Sequence, residues 1–288
     1  MRAWMSLMDD PGLFTCFAGL LGLLVGSFIN VVAHRLPIML HCRWRAEARG
    51  MLDLPIEKPR RFDLAWPGSH CPRCNHALRA WENVPILSYL ALRGRCSSCA
   101  GAISPRYPLV ELLSAVLSAL VAWRLGPGGQ ALTLLVVTWA LLSLSLIDWA
   151  HKLLPDVIVL PVLWLGLLVN AFDVHVTLRS ALWGAAAGYL SLWTLFWLYK
   201  LVTGKDGMGY GDFKLLALLG AWGGLHILPF TLLMASVGGA LIGLYLMHRR
   251  RAHPGHEMPF GPCLATAGWI MLLWNDEIHT SYLHMIGI

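Results

Sequence analysis

Asp148 closes one long apolar stretch and Asp212 opens another, the latter within the run Gly207-Met208-Gly209-Tyr210-Gly211-Asp212. A charged side chain in a bilayer costs roughly 2.5 to 3.5 kcal/mol at a helix centre, less near the interface, and such groups mark functional positions. Two carboxyls sharing one proton can divide hydrolytic work: one activates a water while the other protonates the scissile carbonyl, which is aspartyl protease chemistry. The glycines impose little steric restriction, so the chain is expected to bend before Asp212 and let a substrate backbone come close. A lone Asp at a helix start is ordinarily a cap, the reading adopted for Asp156 after Pro155. The glycine run and the second aspartate set Asp212 apart.

A second constellation is Cys71-Pro72-Arg73-Cys74 and Cys96-Ser97-Ser98-Cys99, two C-x-x-C pairs separated by 21 residues. That pattern gathers four thiolates around one tetrahedral zinc. With four sulfurs the shell is closed to water, so the expected ion is structural and staples a polar loop with little core of its own. Cys16, Cys42 and Cys263 are read as packing residues, and His34, His41, His70 and His76 are not expected on the metal.

These groups must be positioned by membrane-spanning helices. The chain is 57% hydrophobic and only 13% charged, with a mean hydropathy of +0.60, far too apolar for a soluble domain. Windows of about 20 residues, the length that crosses about 30 Å of hydrocarbon, fall at Leu13 to Val32, Pro108 to Leu125, Ala131 to Ile147, Val157 to Phe172, Ala181 to Leu201, Phe213 to Leu225, Ile227 to Met247 and Gly261 to Trp274. The fold class read from this is an all-α polytopic membrane protein of about eight transmembrane helices with a zinc-stapled cytoplasmic loop domain. The sixth window is short, and its boundary with the seventh is soft. The first begins with Asp9 and Asp10 rather than a basic cluster, so it is read as an anchor and not a cleaved signal.

Basic residues crowd the first loop, from Arg35 through Arg106, which places that loop in the cytoplasm. Alternation then puts Lys152, Lys200, Lys205, Lys214 and Arg249 to Arg251 inside, the N-terminus outside, and Asp148 and Asp212 together at the cytoplasmic face. The net charge of +6 is thereby a topology signal. No basic stripe interleaved with stacking aromatics suggests nucleic-acid binding, and most of the 14 tryptophans are assigned to interfacial belts. A reducing cytoplasm also favours metal over disulfides for the paired cysteines.

Nearly end to end the chain resembles the type IV prepilin peptidases, bifunctional leader peptidases and N-methyltransferases of pilus and type II secretion systems. The resemblance is carried by Gly26-Ser27-Phe28-Ile29-Asn30-Val31-Val32 with Arg35-Leu36-Pro37, the two C-x-x-C pairs, Glu82-Asn83-Val84-Pro85, Leu92-Arg93-Gly94-Arg95, Ser104 to Glu111, Asp148 with Leu154-Pro155-Asp156, and Gly209-Tyr210-Gly211-Asp212-Phe213-Lys214. It implies a protein of the bacterial inner membrane that cleaves the basic leader of type IV prepilins or pseudopilins. Methylation of the new amino terminus from S-adenosylmethionine would follow. The family's catalytic aspartates fall on Asp148 and Asp212, and its metal ligands on Cys71, Cys74, Cys96 and Cys99. For the methyl donor it points to the first loop, where Glu82, Asn83, Gly94, Arg95 and Glu111 are the residues to watch. Physics alone does not lead to methyl transfer, since no glycine-rich strand-turn-helix of the dinucleotide-binding kind is present.

The organisation expected is a first helix over 1–33, a zinc-binding loop domain over 34–107 with the methyltransferase region, and a multi-span peptidase domain over 108–288. The segment from Cys42 to Pro67 is expected to be a partly flexible insert. Lys214 is read as an interfacial anchor, and Asp206, Glu82 and Asp156 as the acidic groups that select a basic leader. A peptidase without methyltransferase activity is the nearer alternative. A membrane transporter is the more distant one, and it needs carboxylates near span midpoints, where almost none lie.

Overall fold

The computed structural model describes residues 10–55, 61–205, 207–248 and 259–285. It is helical over 75% of the chain, with no strand among the described residues. The chain separates into two compact units, Met1–Ala131 and Leu132–Ile288.

In the first unit, α1 (Pro11–Met51) packs along α3 (Arg106–Leu125). Asp10 caps α1 by accepting the N–H groups of Gly12 and Leu13, at 2.8 and 3.3 Å, with Pro11 in the first turn where no N–H is needed. The two helices approach along small residues. A Cβ at Gly22 would meet Ser118 Oγ at 2.5 Å and the Ser114 carbonyl at 2.7 Å, and one at Gly26 would meet Glu111 Cα at 2.8 Å, the close packing that membrane helices use in place of a hydrophobic drive. Between them run the cysteine segments, a 3-10 turn at Ala80–Asn83 and the short α2 (Leu87–Ala91).

The length of α1 was not legible. Nineteen residues beyond Val32 stay helical, through Met51, although the sequence suggested a loop from residue 34. This stretch is rich in Arg and Ala, with Leu and Met, all good helix formers, and carries an Arg43–Glu47 pair at 2.8 Å one turn apart. Pro37 is accommodated inside the helix.

The second unit holds α4 (Gly129–His151, whose first residues belong to the first unit), α5 (Asp156–Asn170), α6 (Leu178–Thr203), α7 (Tyr210–Gly223), a 3-10 turn at Leu225–Ile227, α8 (Leu228–His248) and α9 (Gly261–Met285). The eight apolar windows coincide with α1 and α3 to α9. Among the described residues, five stretches are long and apolar enough to cross a membrane: α1, α3, α4, α6 and Leu225–Tyr245. At 15 and 14 residues, α5 and α7 fall short.

α7 is the centre of this unit. Every residue from Asp212 to Gly223 is buried except Lys214, as expected for a helix apolar all round, and α5, α6 and α9 pack against it. Gly184 and Gly188 of α6 lie against the backbone of Gly220 and Leu216, where a Cβ has no room. α5 is pinned by Asn170, which donates to the carbonyls of Ala221 and Trp222 at 2.9 and 3.2 Å, while Trp222 Nε1 donates to the Val162 carbonyl at 2.9 Å. Trp222 is therefore a core residue and no part of an interfacial belt. Cys16 and Cys42 are exposed and do not pack as expected; Cys263 is half-buried.

Candidate active site and metal centre

Asp148 lies in the last turn of α4, and Asp212 is the third residue of α7. Both are buried, at 6% and 8% exposure. The two carboxyls lie close enough for their charges to interact, so the chain brings together groups that are 64 positions apart in the sequence. Residues between and beyond them complete the site. Gly261, at the start of α9, donates its N–H to Asp148 Oδ2 at 3.0 Å. A Cβ there would stand 2.6 Å from that oxygen. Leu154 forms the wall: a Cβ at Gly211 would meet Leu154 Cβ at 2.8 Å, and one at Gly261 would meet Leu154 Cδ2 at 3.4 Å.

None of Gly207, Gly209 and Gly211 takes a positive φ, so the sharp bend expected of them is not what they supply. Two are small because side chains press on them, Tyr199 on Gly207 and Leu154 on Gly211. Gly209 instead leaves room: a Cβ there would find Asp212 Oδ2 as its nearest neighbour, at 3.9 Å. Gly209 is itself exposed, so a larger side chain at this point of the glycine run would stand between solvent and the buried Asp212 carboxyl.

Gly261 carries no signal in the sequence that assigns it to this site, and Leu154 enters the sequence reading only within the Leu154-Pro155-Asp156 motif of the resemblance. Substituting alanine for Gly261 places a methyl group against the Asp148 carboxyl. Peptide cleavage by G261A is expected to fall roughly 100-fold, since a shift of about 1 Å in a reacting group costs that much. Initial rates on a precursor peptide check this; an unchanged rate would mean that the Gly261 contact does not orient Asp148.

Asp156 is the first residue of α5, not its cap, and its carboxylate receives Lys214 Nζ at 2.8 Å on both oxygens. Lys214 is consequently paired rather than a free interfacial anchor, and Asp156 is already engaged. Asp206 lies outside the described residues. Glu82 is buried and its carboxyl is engaged by the Arg79 N–H and by His76.

The four cysteine sulfurs lie within 4.8 Å of one another, Cys71 to Cys99 at 3.9 Å and Cys74 to Cys96 at 4.0 Å. A tetrahedron with Zn–S bonds of about 2.3 Å has edges of about 3.8 Å, so the cluster could hold such an ion. The two knuckles are built alike. Each C-x-x-C is followed by a left-handed residue, Asn75 or Ala100, and closed by a single bridge, His70 to Ala77 or Arg95 to Ala102. N–H groups of Cys74 and Arg73 bring the Cys71 thiol down to about 6. Although the His76 N–H favours its anion, Cys74 is pushed up to about 11 by burial and by the surrounding thiols. Four sulfurs at this spacing ionise together only around a cation.

A cavity of about 430 Å³ adjoins the knuckles, and Glu82, Asn83 and Glu111 line it. Glu82 braces both knuckles: it accepts the Arg79 N–H at 2.7 Å and faces His76 Nε2 at 3.4 Å. The Ser97 hydroxyl, then the Arg79 N–H and His76, hold its carboxyl below the usual carboxylate range. Gly94 and Arg95 do not line the cavity. Gly94 sits at φ 70 beneath the Tyr89 hydroxyl, a position closed to a side chain, and Arg95 carries the second bridge. Arg35, marked in the sequence only as a loop charge and by its place in the Arg35-Leu36-Pro37 motif, is buried on the cavity wall and donates to the carbonyls of Asp63 and Leu64 at 3.1 and 3.3 Å.

Comparison with known proteins gives matching results. Residues 20–125 match the bacterial peptidase A24 N-terminal domain, and residues 135–244 match the type IV leader peptidase family. A prepilin leader peptidase/N-methyltransferase of Pseudomonas putida is 60% identical over 287 residues, covering 100% of each chain. Its namesake in Pseudomonas aeruginosa is 57% identical over 98% of this chain and 97% of its own, and that of Burkholderia pseudomallei strain K96243 is 51% identical over 93% and 88%. No solved structure matches the chain.

Proposed function

The chain belongs to the type IV leader peptidase family, and from that premise we propose that it cleaves the basic leader of type IV prepilins or pseudopilins with Asp148 and Asp212, then methylates the amino group so exposed. The observation that carries the cleavage half is the buried carboxyl pair at the end of α4 and the start of α7. In this reading the pair shares one proton. The ionised carboxylate takes a proton from water, the water oxygen bonds to the scissile carbon, and the second carboxyl gives its proton to the carbonyl oxygen. The diol then collapses: the C–N bond breaks, and the leaving nitrogen takes a proton back from the pair. One water is consumed for each peptide bond broken. The exposed backbone at Gly209, beside the Asp212 carboxyl, is the place for an unwound substrate backbone.

A basic leader followed by an apolar helix lies with its leader in the cytoplasm. That orientation, with the N-terminus of the enzyme in the periplasm and both aspartates at the cytoplasmic face of the inner membrane, fits the distribution of basic residues. Methyl transfer belongs in this scheme to the region 34–107 with the helices that hold it, and the peptidase to 108–288. The four cysteines hold a single structural zinc. S-adenosylmethionine, when bound, supplies an electrophilic methyl group on a sulfonium.

Mass spectrometry of a prepilin incubated with the purified enzyme in detergent, with and without the donor, tests both halves. The expected products are leader plus mature chain in both reactions, with the mature chain heavier by one methyl group only when donor is present. An intact precursor in both reactions overturns the peptidase reading. A cut chain that never gains the methyl group overturns the other half.

A further inference from the structure

The cavity in the first unit is of the size that takes a small molecule, about 300 to 1,000 Å³. Its floor belongs to the membrane helices, with Ser27 and Asn30 from α1 and Tyr107 and Glu111 from α3; the knuckles and α2 supply the roof. Leu109, Leu112 and Leu113, which surround Glu111 in sequence, face outward. Glu111 itself is 8% exposed and turned inward onto the cavity.

Glu111 is only partly occupied. One of its oxygens accepts the Ile86 N–H at 2.8 Å, and the Ser27 hydroxyl bonds to the same carboxyl. A carboxylate offers about four acceptor positions, which leaves capacity toward the cavity. The Ile86 contact fixes a backbone of φ 59, ψ −48, a conformation a β-branched residue rarely adopts and that concentrates at ligand sites. Glu82, the other carboxylate on the wall, is used up by Arg79, Ser97 and His76. Arg35 spends its guanidinium on backbone carbonyls. A buried carboxylate with open acceptor positions calls for a cationic ligand.

Resting on the methyl-transfer half of the proposed function, we propose that this cavity is where the newly cut amino terminus meets the methyl donor, and that Glu111 binds the incoming α-ammonium and takes its proton. An α-amino group has a pKa of about 7.7 to 8.0 and is mostly protonated near pH 7, its lone pair unavailable. The ammonium passes one proton to the Glu111 carboxylate. The freed nitrogen pair bonds to the methyl carbon as the carbon–sulfur bond breaks, with that bond's electrons going to sulfur, so the sulfonium becomes a thioether. The product is a methylated ammonium, and Glu111 releases its proton to water. The cavity floor suits this acceptor, because an amine at the head of an apolar helix reaches α1 and α3 without its helix leaving the bilayer.

The test uses full-length enzyme with a synthetic pre-cut pilin peptide and S-adenosylmethionine, measuring methyl transfer against pH and donor binding by equilibrium dialysis. E111Q is expected to lose roughly 100-fold in methyl transfer at about pH 7. The deficit should shrink to roughly tenfold by about pH 9, where the amine sheds its proton unaided. Donor affinity should stay within about threefold of wild type, as expected for a group whose ligand is the acceptor. E111D, which keeps the charge, should show a smaller loss with the wild-type pH profile, and it carries the test if E111Q does not fold. A loss equal at every pH, a wild-type rate, or abolished donor binding would overturn the assignment; the last gives the carboxylate to the sulfonium. Wild-type enzyme that binds no donor and transfers no methyl sinks the methyl-transfer reading itself, whereas wild-type transfer matched by E111Q sinks only the role of Glu111.

Discussion

Leader cleavage by D148N or D212N is expected to fall by at least about a thousandfold, the upper part of the range that a general acid or base supplies. Asparagine matches aspartate in shape but neither takes a proton from water nor donates one as an acid. In D148N the amide oxygen still accepts the Gly261 N–H, so that contact with α9 survives. Replacing one of two buried carboxyls by a neutral amide also removes the unfavourable interaction between them, so the thermal midpoint should hold or rise. Initial rates on a precursor in proteoliposomes measure the effect, with methylation of a pre-cut peptide as the control for folding. Cleavage above a tenth of the wild-type rate in either variant would remove that residue from the chemistry.

The second large effect belongs to the cysteines. Among the described residues from 61 to 105, only Cys71, Glu82, Pro85 and Cys96 are buried, so this region has almost no apolar core, and a metal held by the four sulfurs would serve as one. Structural zinc contributes an apparent 10 to 16 kcal/mol in small zinc-finger peptides, roughly an upper bound here. C71S should therefore lose the ion, expose the segment between His70 and Ala102 to protease, and abolish methyl transfer. Cleavage should suffer no more than methyl transfer does, because Asp148 and Asp212 belong to the other unit. Metal analysis, limited proteolysis and product masses read this together. Normal metal content with a normal methylated product in C71S would refute the closed four-sulfur site.

Much of the architecture was legible because its signals are local. Apolar windows, paired cysteines and a glycine run are short patterns, and each maps onto a helix, a knuckle or a helix start. Where the reading departed, contacts between distant segments decided the outcome. The Gly261 contact to Asp148 spans 113 positions, and nothing near Gly261 announces it. Lys214 and Asp156 are 58 positions apart, and each in isolation resembles an anchor or a cap. Arg35 stood out as a charge and as part of a motif, but its task could not be read because the carbonyls it serves come from a later loop. The first helix overran its apolar window because its polar continuation satisfies helix propensity without needing lipid.

A helix of 14 residues such as α7 covers about 21 Å of a hydrocarbon layer about 30 Å deep, so within that layer at least one of its ends stops short of the surface. The first amides of a helix have no carbonyl to meet in their own turn, and irregular backbone at such depth persists only where protein encloses it or moisture reaches it. At the Asp212 end, beside the uncovered Gly209, these demands coincide. The notch that hydrates the stranded amides would also deliver the reagent that peptide hydrolysis uses up, so a short central helix would keep a supply of solvent beneath the lipid surface.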